Sequence, residues 1–270
     1  RVENGGRLEV NGNAPTPQRV VFTSVRDDSI NGDTDNDGGL NDPAAGNWEN
    51  IYLLSGSGGW VYNADIRYAR NALDIRNASP ILNDLNISDC ADHCIYVLTN
   101  NVQTLSMHDV TIFDLDGANG STTSRGIYLQ TQSAGQLSLD VSNITVEDVQ
   151  GDFAVYLLTY SGSVTGLWDG LSITDPLNQG LHIRGANVAA NVSATFSNIT
   201  IQDAGTYGLV IYDSNNGSVK PKFDGVNSVS TLANDAIRID GAGAAPRFLA
   251  SGSWIIDGGD FGLPLLSAAR

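Results

Sequence analysis

The chain predicts an all-β solenoid, a parallel β-helix with three short strands per coil, on three observations. A pattern of paired apolar residues recurs at intervals of 21 to 34 residues from about Ala64 to Leu265, and a fixed repeat of this length marks a stacked array of supersecondary units. Within each pair the spacing is two, the period of a strand, and no helical stripe competes with it. The composition is rich in turn formers: 30 Gly among 270 residues, abundant Asn, Asp and Ser, and only 16% charged residues. Gly and Asn tolerate positive φ, which a fold with several tight turns per coil requires in quantity.

The elements follow in order. First-strand pairs are Leu85/Ile87, Val110/Ile112, Ile144/Val146, Leu171/Ile173 and Ile199/Ile201, each followed two residues later by Asp89, Asp114, Asp148, Asp175 and Asp203. Second-strand pairs are Ile95/Val97, Ile127/Leu129, Val155/Leu157, Leu181/Ile183 and Leu209/Ile211. A third apolar stretch precedes each first strand, as in Leu105/Met107, Leu137/Leu139/Val141, Val192/Phe196 and Phe248. Weaker copies flank this block: Ala64/Ile66 with Leu73/Ile75, Val229 with Ile237/Ile239, and Ile255 with Leu263/Leu265. Coils of this kind stack at about 4.8 Å, so the inward residues should form ladders along the axis. A β-sandwich would not be expected to keep one register of pairs through so many units.

One elongated domain over residues 1–270 accounts for the whole length. The start at Arg1 and the strand-like ends, Arg7-Leu8-Glu9-Val10 and Leu263-Pro264-Leu265-Leu266, read as a segment of a longer polypeptide whose open edges are covered by neighbouring domains or further copies of the same chain. No apolar run approaches the roughly 18 residues of a membrane span. The net charge of -16, from 30 acidic and 14 basic side chains, leaves too few cations for a nucleic-acid groove. Repulsion on the same scale disfavours anionic polysaccharides.

Acidity is concentrated between Asp27 and Asp42, where Asp27, Asp28, Asp33, Asp35, Asp37 and Asp42 occur and no Lys or Arg lies between Arg26 and Arg67. Carboxylates at Asp33, Asp35 and Asp37, followed by Gly38, match the first half of an Asp-x-Asp-x-Asp-Gly calcium loop, in which alternate oxygen ligands converge and Gly permits the sharp turn. Position twelve of such a loop is Ala44, not the bidentate Glu of an EF-hand, so Asp27, Asp28 or Asp42 would have to complete the coordination. Two readings stay open for this insertion at about 27–46: a calcium site with a structural role, and an acidic solvated loop.

The same segment resembles a known signature. Val21-Phe22-Thr23-Ser24, then Asp27-Asp28, Gly32-Asp33-Thr34-Asp35-Asn36-Asp37-Gly38 and Pro43-Ala44-Ala45-Gly46-Asn47-Trp48 are similar to bacterial and archaeal secreted right-handed parallel β-helix proteins, often parts of large surface or adhesin-like polypeptides. It departs at Asn47, where the family usually has Asp, and at Glu49-Asn50, where a small Gly-containing pair is common. The resemblance implies a right-handed solenoid, in which the Phe-Thr-Ser strand leads into the acidic loop and Trp48 opens the next coil.

Other chemistry is sparse. His93, His108 and His182 stand at different offsets from the repeat, so no metal cluster or catalytic His pair is expected. Asn234-Asp235-Ala236-Ile237 faintly matches a polygalacturonase strand without the rest of that constellation. Cys90 and Cys94, four apart across a turn, either close a small disulfide, worth about 2 kcal/mol in the chain-entropy model, or fill the turn as reduced thiols. Sequons at Asn86, Asn119, Asn143, Asn191, Asn198 and Asn216 can arise from turn-then-strand grammar alone. Tyr96, Tyr128, Tyr156 and Tyr212 are read as corresponding outward positions of the second strand, an exposed stripe for sugars or a protein partner.

Two functions are consistent with these features. One is a non-catalytic structural or adhesive solenoid of an extracellular, cell-surface or filament-forming polypeptide, stabilised by calcium. The alternative is a polysaccharide-binding or polysaccharide-degrading β-helix.

Overall fold

The computed structural model describes residues 1–12, 18–115, 124–241 and 246–258. Leu263, Leu265 and the sequon at Asn119 lie outside the described residues. In chain order the strands are β1 (Arg7–Asn11), β2 (Val20–Phe22), β3 (Trp48–Leu53), β4 (Gly58–Arg67), β5 (Ala69–Arg76), β6 (Ile81–Ser88) and β7 (His93–Thr99). There follow β8 (Val102–Phe113), β9 (Arg125–Thr131), β10 (Gln136–Glu147), β11 (Phe153–Thr159), β12 (Gly162–Thr174), β13 (Gln179–Gly185) and β14 (Ala190–Val192). The last are β15 (Thr195–Ala204), β16 (Leu209–Asp213), β17 (Ser218–Val219), β18 (Lys222–Asp224), β19 (Val226–Thr231), β20 (Ile237–Gly241), β21 (Leu249–Ala250) and β22 (Ser253–Asp257). No helix occurs among the described residues.

Every strand pairing is parallel, and the strands sort into two sheets. The larger sheet has 14 strands and runs β1-β4-β6-β8-β10-β12-β15-β18-β21, with shorter strands beside this path; the smaller has eight, β20-β16-β13-β11-β9-β7-β5-β3. Along the block from β4 to β13, consecutive strands of the chain alternate between the sheets, and each pairs with the equivalent strand one turn away. The result is a parallel β-solenoid.

The third and first strands read from the sequence run together here. In β8 the buried residues Gln103, Leu105 and Met107 keep the period of two, and the next buried residues are Val110 and Ile112. The phase breaks at Asp109, whose φ of 54° is left-handed. One left-handed residue turns the chain without ending the hydrogen-bonded ladder. Asn63, Asp84, Asp109, Asn143, Gly170, Asn198, Gly225 and Gly252 all have positive φ and fall in register along the larger sheet. Only Gly, Asn and Asp visit this region routinely. At Gly225, a Cβ would also meet Asn198 Oδ1 at 2.5 Å. A second left-handed column is formed by Asp89, Asp114, Asp148, Asp175 and Asp203, the aspartates that close each first-strand pair, with Tyr68 in the same place one coil earlier.

Inside, the paired residues form the expected ladders. Ile66, Ile87, Ile112, Val146, Ile173 and Ile201 follow one another, and all are buried. A third ladder changes character along the axis: Val61, Leu82, Met107 and Val141 give way to Trp168, Phe196 and Phe223. Trp168 and Phe196 stack at 6.1 Å and Phe196 and Phe223 at 5.4 Å, so part of the core is aromatic. Asn227 enters the Leu171–Ile199 ladder fully buried, accepting a bond from the Ile199 N–H at 3.1 Å and donating one to Asp224 O at 2.9 Å. Both of its polar groups are thereby partnered, which is what makes its burial tolerable.

Candidate functional site

The acidic loop gathers part of the predicted set. Carboxylate oxygens of Asp28, Asp33 and Asp35 lie within 4.8 Å of one another. Asp28 Oδ1 is enclosed and accepts no hydrogen bond; burial first, then the charges of Asp33, Asp35 and Asp37, raises its pKa. Within the cluster Asp33 accepts bonds from the backbone N–H groups of Asp37 and Gly38, both at 3.0 Å, and Asp35 from that of Asp37 at 3.3 Å; the other three aspartates of the predicted set lie outside it. Asp37 accepts bonds from the backbone N–H groups of Gly39, Leu40 and Asn41 at 2.7, 3.0 and 3.0 Å, so its side chain shapes the turn. Asp27 is buried, and although burial pushes its pKa up, bonds from Ser29 and Thr23 with Arg67 nearby hold it below the usual value. It joins the loop to the solenoid. Asp42 is exposed and outside the cluster.

The outward face of the smaller sheet carries a column with the register Asp74, Tyr96, Tyr128, Tyr156, His182, Val210 and Arg238. Rings of Tyr96 and Tyr128 stack at 5.1 Å, and those of Tyr128 and Tyr156 at 5.3 Å. Tyr212 does not belong to this column. In Leu209-Val210-Ile211-Tyr212 the outward residue between the inward pair is Val210, and Tyr212 is the next outward position, beside Arg184 and Asp240.

Nor is the stripe uniformly exposed. Tyr156 is 5% exposed, because Phe153 stacks on it at 4.6 Å and His182 meets it edge-on at 5.1 Å. His93 meets Tyr128 edge-on at 5.3 Å toward the other end. Burial, aided by Arg125, lowers the His93 pKa to about 4; burial, aided by Arg184, Arg238 and Arg125, lowers that of His182 to about 3. Both imidazoles are neutral at pH 7.

Arginines complete the face. Arg125 lies over the rings of Tyr128 at 4.4 Å and Tyr156 at 5.0 Å, Arg76 over Tyr96 at 5.6 Å, Arg184 over Tyr212 at 5.4 Å and Arg238 over Tyr207 at 5.2 Å. Arg76 and Arg238 pair with Asp74 and Asp240. Among the described residues Arg125 and Arg184 have no carboxylate at ion-pair distance, and the Nε of each is buried without a partner. Where Val210 replaces a ring in the column, a depression of about 220 Å³ opens, bounded by Gln179, His182, Arg184, Tyr207, Tyr212, Arg238 and the carboxylate-bearing Asp240.

Sequence reasoning missed these arginines because it weighed charge over the whole chain. A column alignment would have placed Arg125 one coil from His93, and Arg184 one coil from Tyr212.

Cys90 and Cys94 are bonded to each other, with Cα atoms 5.4 Å apart, and both are buried, Cys90 in the turn before β7 and Cys94 at the start of that strand. His108 is on the larger sheet, 2.8 Å from Ser142 Oγ, apart from the other two histidines. No helix among the described residues is long and apolar enough to cross a membrane, which says nothing of membrane β-barrels. No protein-family model, curated protein sequence or solved structure matches the chain.

Proposed function

We propose that this chain is a right-handed parallel β-helix with a structural or adhesive role in an extracellular or cell-surface polypeptide. Right-handedness is favoured because a strand, a crossover and a parallel strand in the same sheet make a right-handed connection in about 98% of cases. The observation that carries the role is where the outward polar groups spend their bonds. Asn143 donates to Asp109, Asn198 and Ser197 donate to Asp169, and Asn86 donates to Asp65, at 3.0, 2.7, 2.6 and 3.0 Å. Each of these bonds joins one coil to the next. Side chains spent on bracing the axis are not converging on a reacting atom, as catalysis requires.

The disulfide fits an oxidising compartment. Strands β1 and β2 at one end and β20, β21 and β22 at the other have a partner strand on one side among the described residues, so neighbouring domains or further copies are the partners expected there. Calcium is the cation proposed for Asp28, Asp33 and Asp35: the donors are hard oxygens, and one of them is buried and unpaired.

The deciding experiment incubates the chain with a panel of polysaccharides and follows new reducing ends and the ultraviolet absorbance of unsaturated products. Neither should accumulate, while beads coated with the chain should adhere to glycan-coated glass or to one another. Product growing in proportion to protein and time would overturn the non-catalytic reading.

The depression at Val210 favours a second reading, polysaccharide binding on the outward face of the smaller sheet. Aromatic walls with a few convergent polar groups are what a sugar site requires.

A further inference from the structure

The observations carried furthest concern that depression, and the inference rests on the polysaccharide-binding reading. We propose that the gap left by Val210 takes one six-membered sugar ring bearing a carboxylate, as an acidic unit of a sparsely charged glycan.

The column supplies the shape. Tyr96, Tyr128 and Tyr156 stack ring on ring, His182 continues the row, and at Val210 the side chain becomes too short to fill its place before Arg238. Val210 is buried and forms the floor, while Tyr207 and Tyr212 stand half-buried at the sides. The vacancy is therefore one rung of an aromatic ladder. Its volume of about 220 Å³ leaves room for a single ring and its substituents.

Charge supplies the class. Among the described residues Arg1, Arg7, Arg19, Arg67, Arg70, Arg76 and Arg238 are each paired with a carboxylate, whereas Arg26, Arg125, Arg184 and Arg247 are not, and of these only Arg184 borders the gap. Arg184, at the rim of the gap, has no carboxylate partner: its guanidinium hydrogen-bonds the Tyr156 side chain, and its Nε has no acceptor. Arg238 on the other side is held by Asp240 at 3.0 Å and by the Tyr207 hydroxyl at 3.2 Å, which fixes the wall rather than leaving it free. His182 borders the same space, and its Nε2 is buried and unpartnered. A carboxylate answers the guanidinium with charge-assisted bonds, a ring hydroxyl can answer the imidazole, and the flat faces of the sugar lie against tyrosine. A dense polyanion is excluded at longer range by the net charge of -16, so the favoured ligand carries isolated carboxylates.

The test titrates the full chain by isothermal calorimetry and by tyrosine-ring NMR with D-glucuronate, its methyl ester, D-glucose and benzoate at millimolar concentrations. Glucuronate should bind and shift Tyr207 and Tyr212, with the ester at least tenfold weaker. Arg184→Gln should weaken glucuronate at least tenfold. Val210→Tyr should abolish binding while the melting temperature holds, since the column already accepts tyrosine at three positions. If the ester or glucose binds as tightly as glucuronate, the acidic-sugar inference fails and the sugar-binding reading survives. When no sugar binds, or benzoate matches glucuronate, both fail. Binding that persists in a folded Val210→Tyr protein would put the site elsewhere and overturn the assignment.

Discussion

His93 and His182 are held neutral against the tyrosine rings, and this links stability to pH. Their folded pKa values, about 4 and about 3, lie below the roughly 6.5 of an unfolded histidine. Between those limits the unfolded chain binds more protons than the folded one, so stability rises with pH there. Their contribution is complete above about pH 6.5 and is lost as pH falls toward 4 and then 3, by up to a few kcal/mol. Thermal melts at pH 7.5 and 4.5 should show the acid loss, and His182→Gln, uncharged at both, should shrink it. Equal losses in the two proteins would contradict the assignment. Single residues were also where the sequence was most legible: the aspartates closing each first-strand pair are the left-handed corners. The second corner column was harder to see, because Asn, Asp and Gly serve there interchangeably and leave no repeated letter.

At the scale of the elements, the sequence located the strands well but missed how they join. The phase break at Asp109 is a single residue, and an apolar count on either side of it cannot tell a turn from a bend. Tyr212 was misplaced for a related reason: tyrosine follows the first inward residue in β7, β9 and β11 and the second in β16, and only the pairing of Val210 with His182 exposes the shift. The aromatic ladder offers a sharp test of packing. Trp168 is fully buried with its indole Nε1 unpartnered, so Trp168→Phe keeps the stack and removes an orphaned donor. It shrinks the ring and leaves a small cavity, but the loss of the orphaned donor offsets part of that cost, so it should be less destabilising than removing a whole ring. Phe196→Ala, between two rings, should cost about 3–5 kcal/mol. Denaturant unfolding checks both, and a larger loss for Trp168→Phe than for Phe196→Ala would reject the stack as the main source of stability.

For the whole molecule, net charge was a poor guide to the outward face of the smaller sheet. A total of -16 describes the long-range field, whereas recognition is decided over a few ångströms, and Arg76, Arg125, Arg184 and Arg238 collect on one face because aromatic rings there accept cations. The acidic loop is the opposite case, legible in sequence as a run but not in its partition, since Asp37 turns its carboxylate toward Gly39, Leu40 and Asn41 and the solenoid claims Asp27. With calcium the melting temperature should rise, and changing Asp28, Asp33 and Asp35 together to Asn should abolish the rise while Asp42→Asn leaves it intact. Equal curves with calcium and with chelator would remove calcium from the account.

The parallel register has a mechanical consequence. Strands lie across the axis and their hydrogen bonds run along it, so a pull applied to the two ends of the solenoid loads one edge strand at a time instead of shearing a sheet. Val146 and Ile173 are register partners, and the 27 residues from one to the other would be released as a coil peels away, adding roughly 90 Å of contour at about 3.4 Å per residue. Extended under force, the molecule behaves as a spool that pays out thread by the turn, and the coils still wound keep their shape.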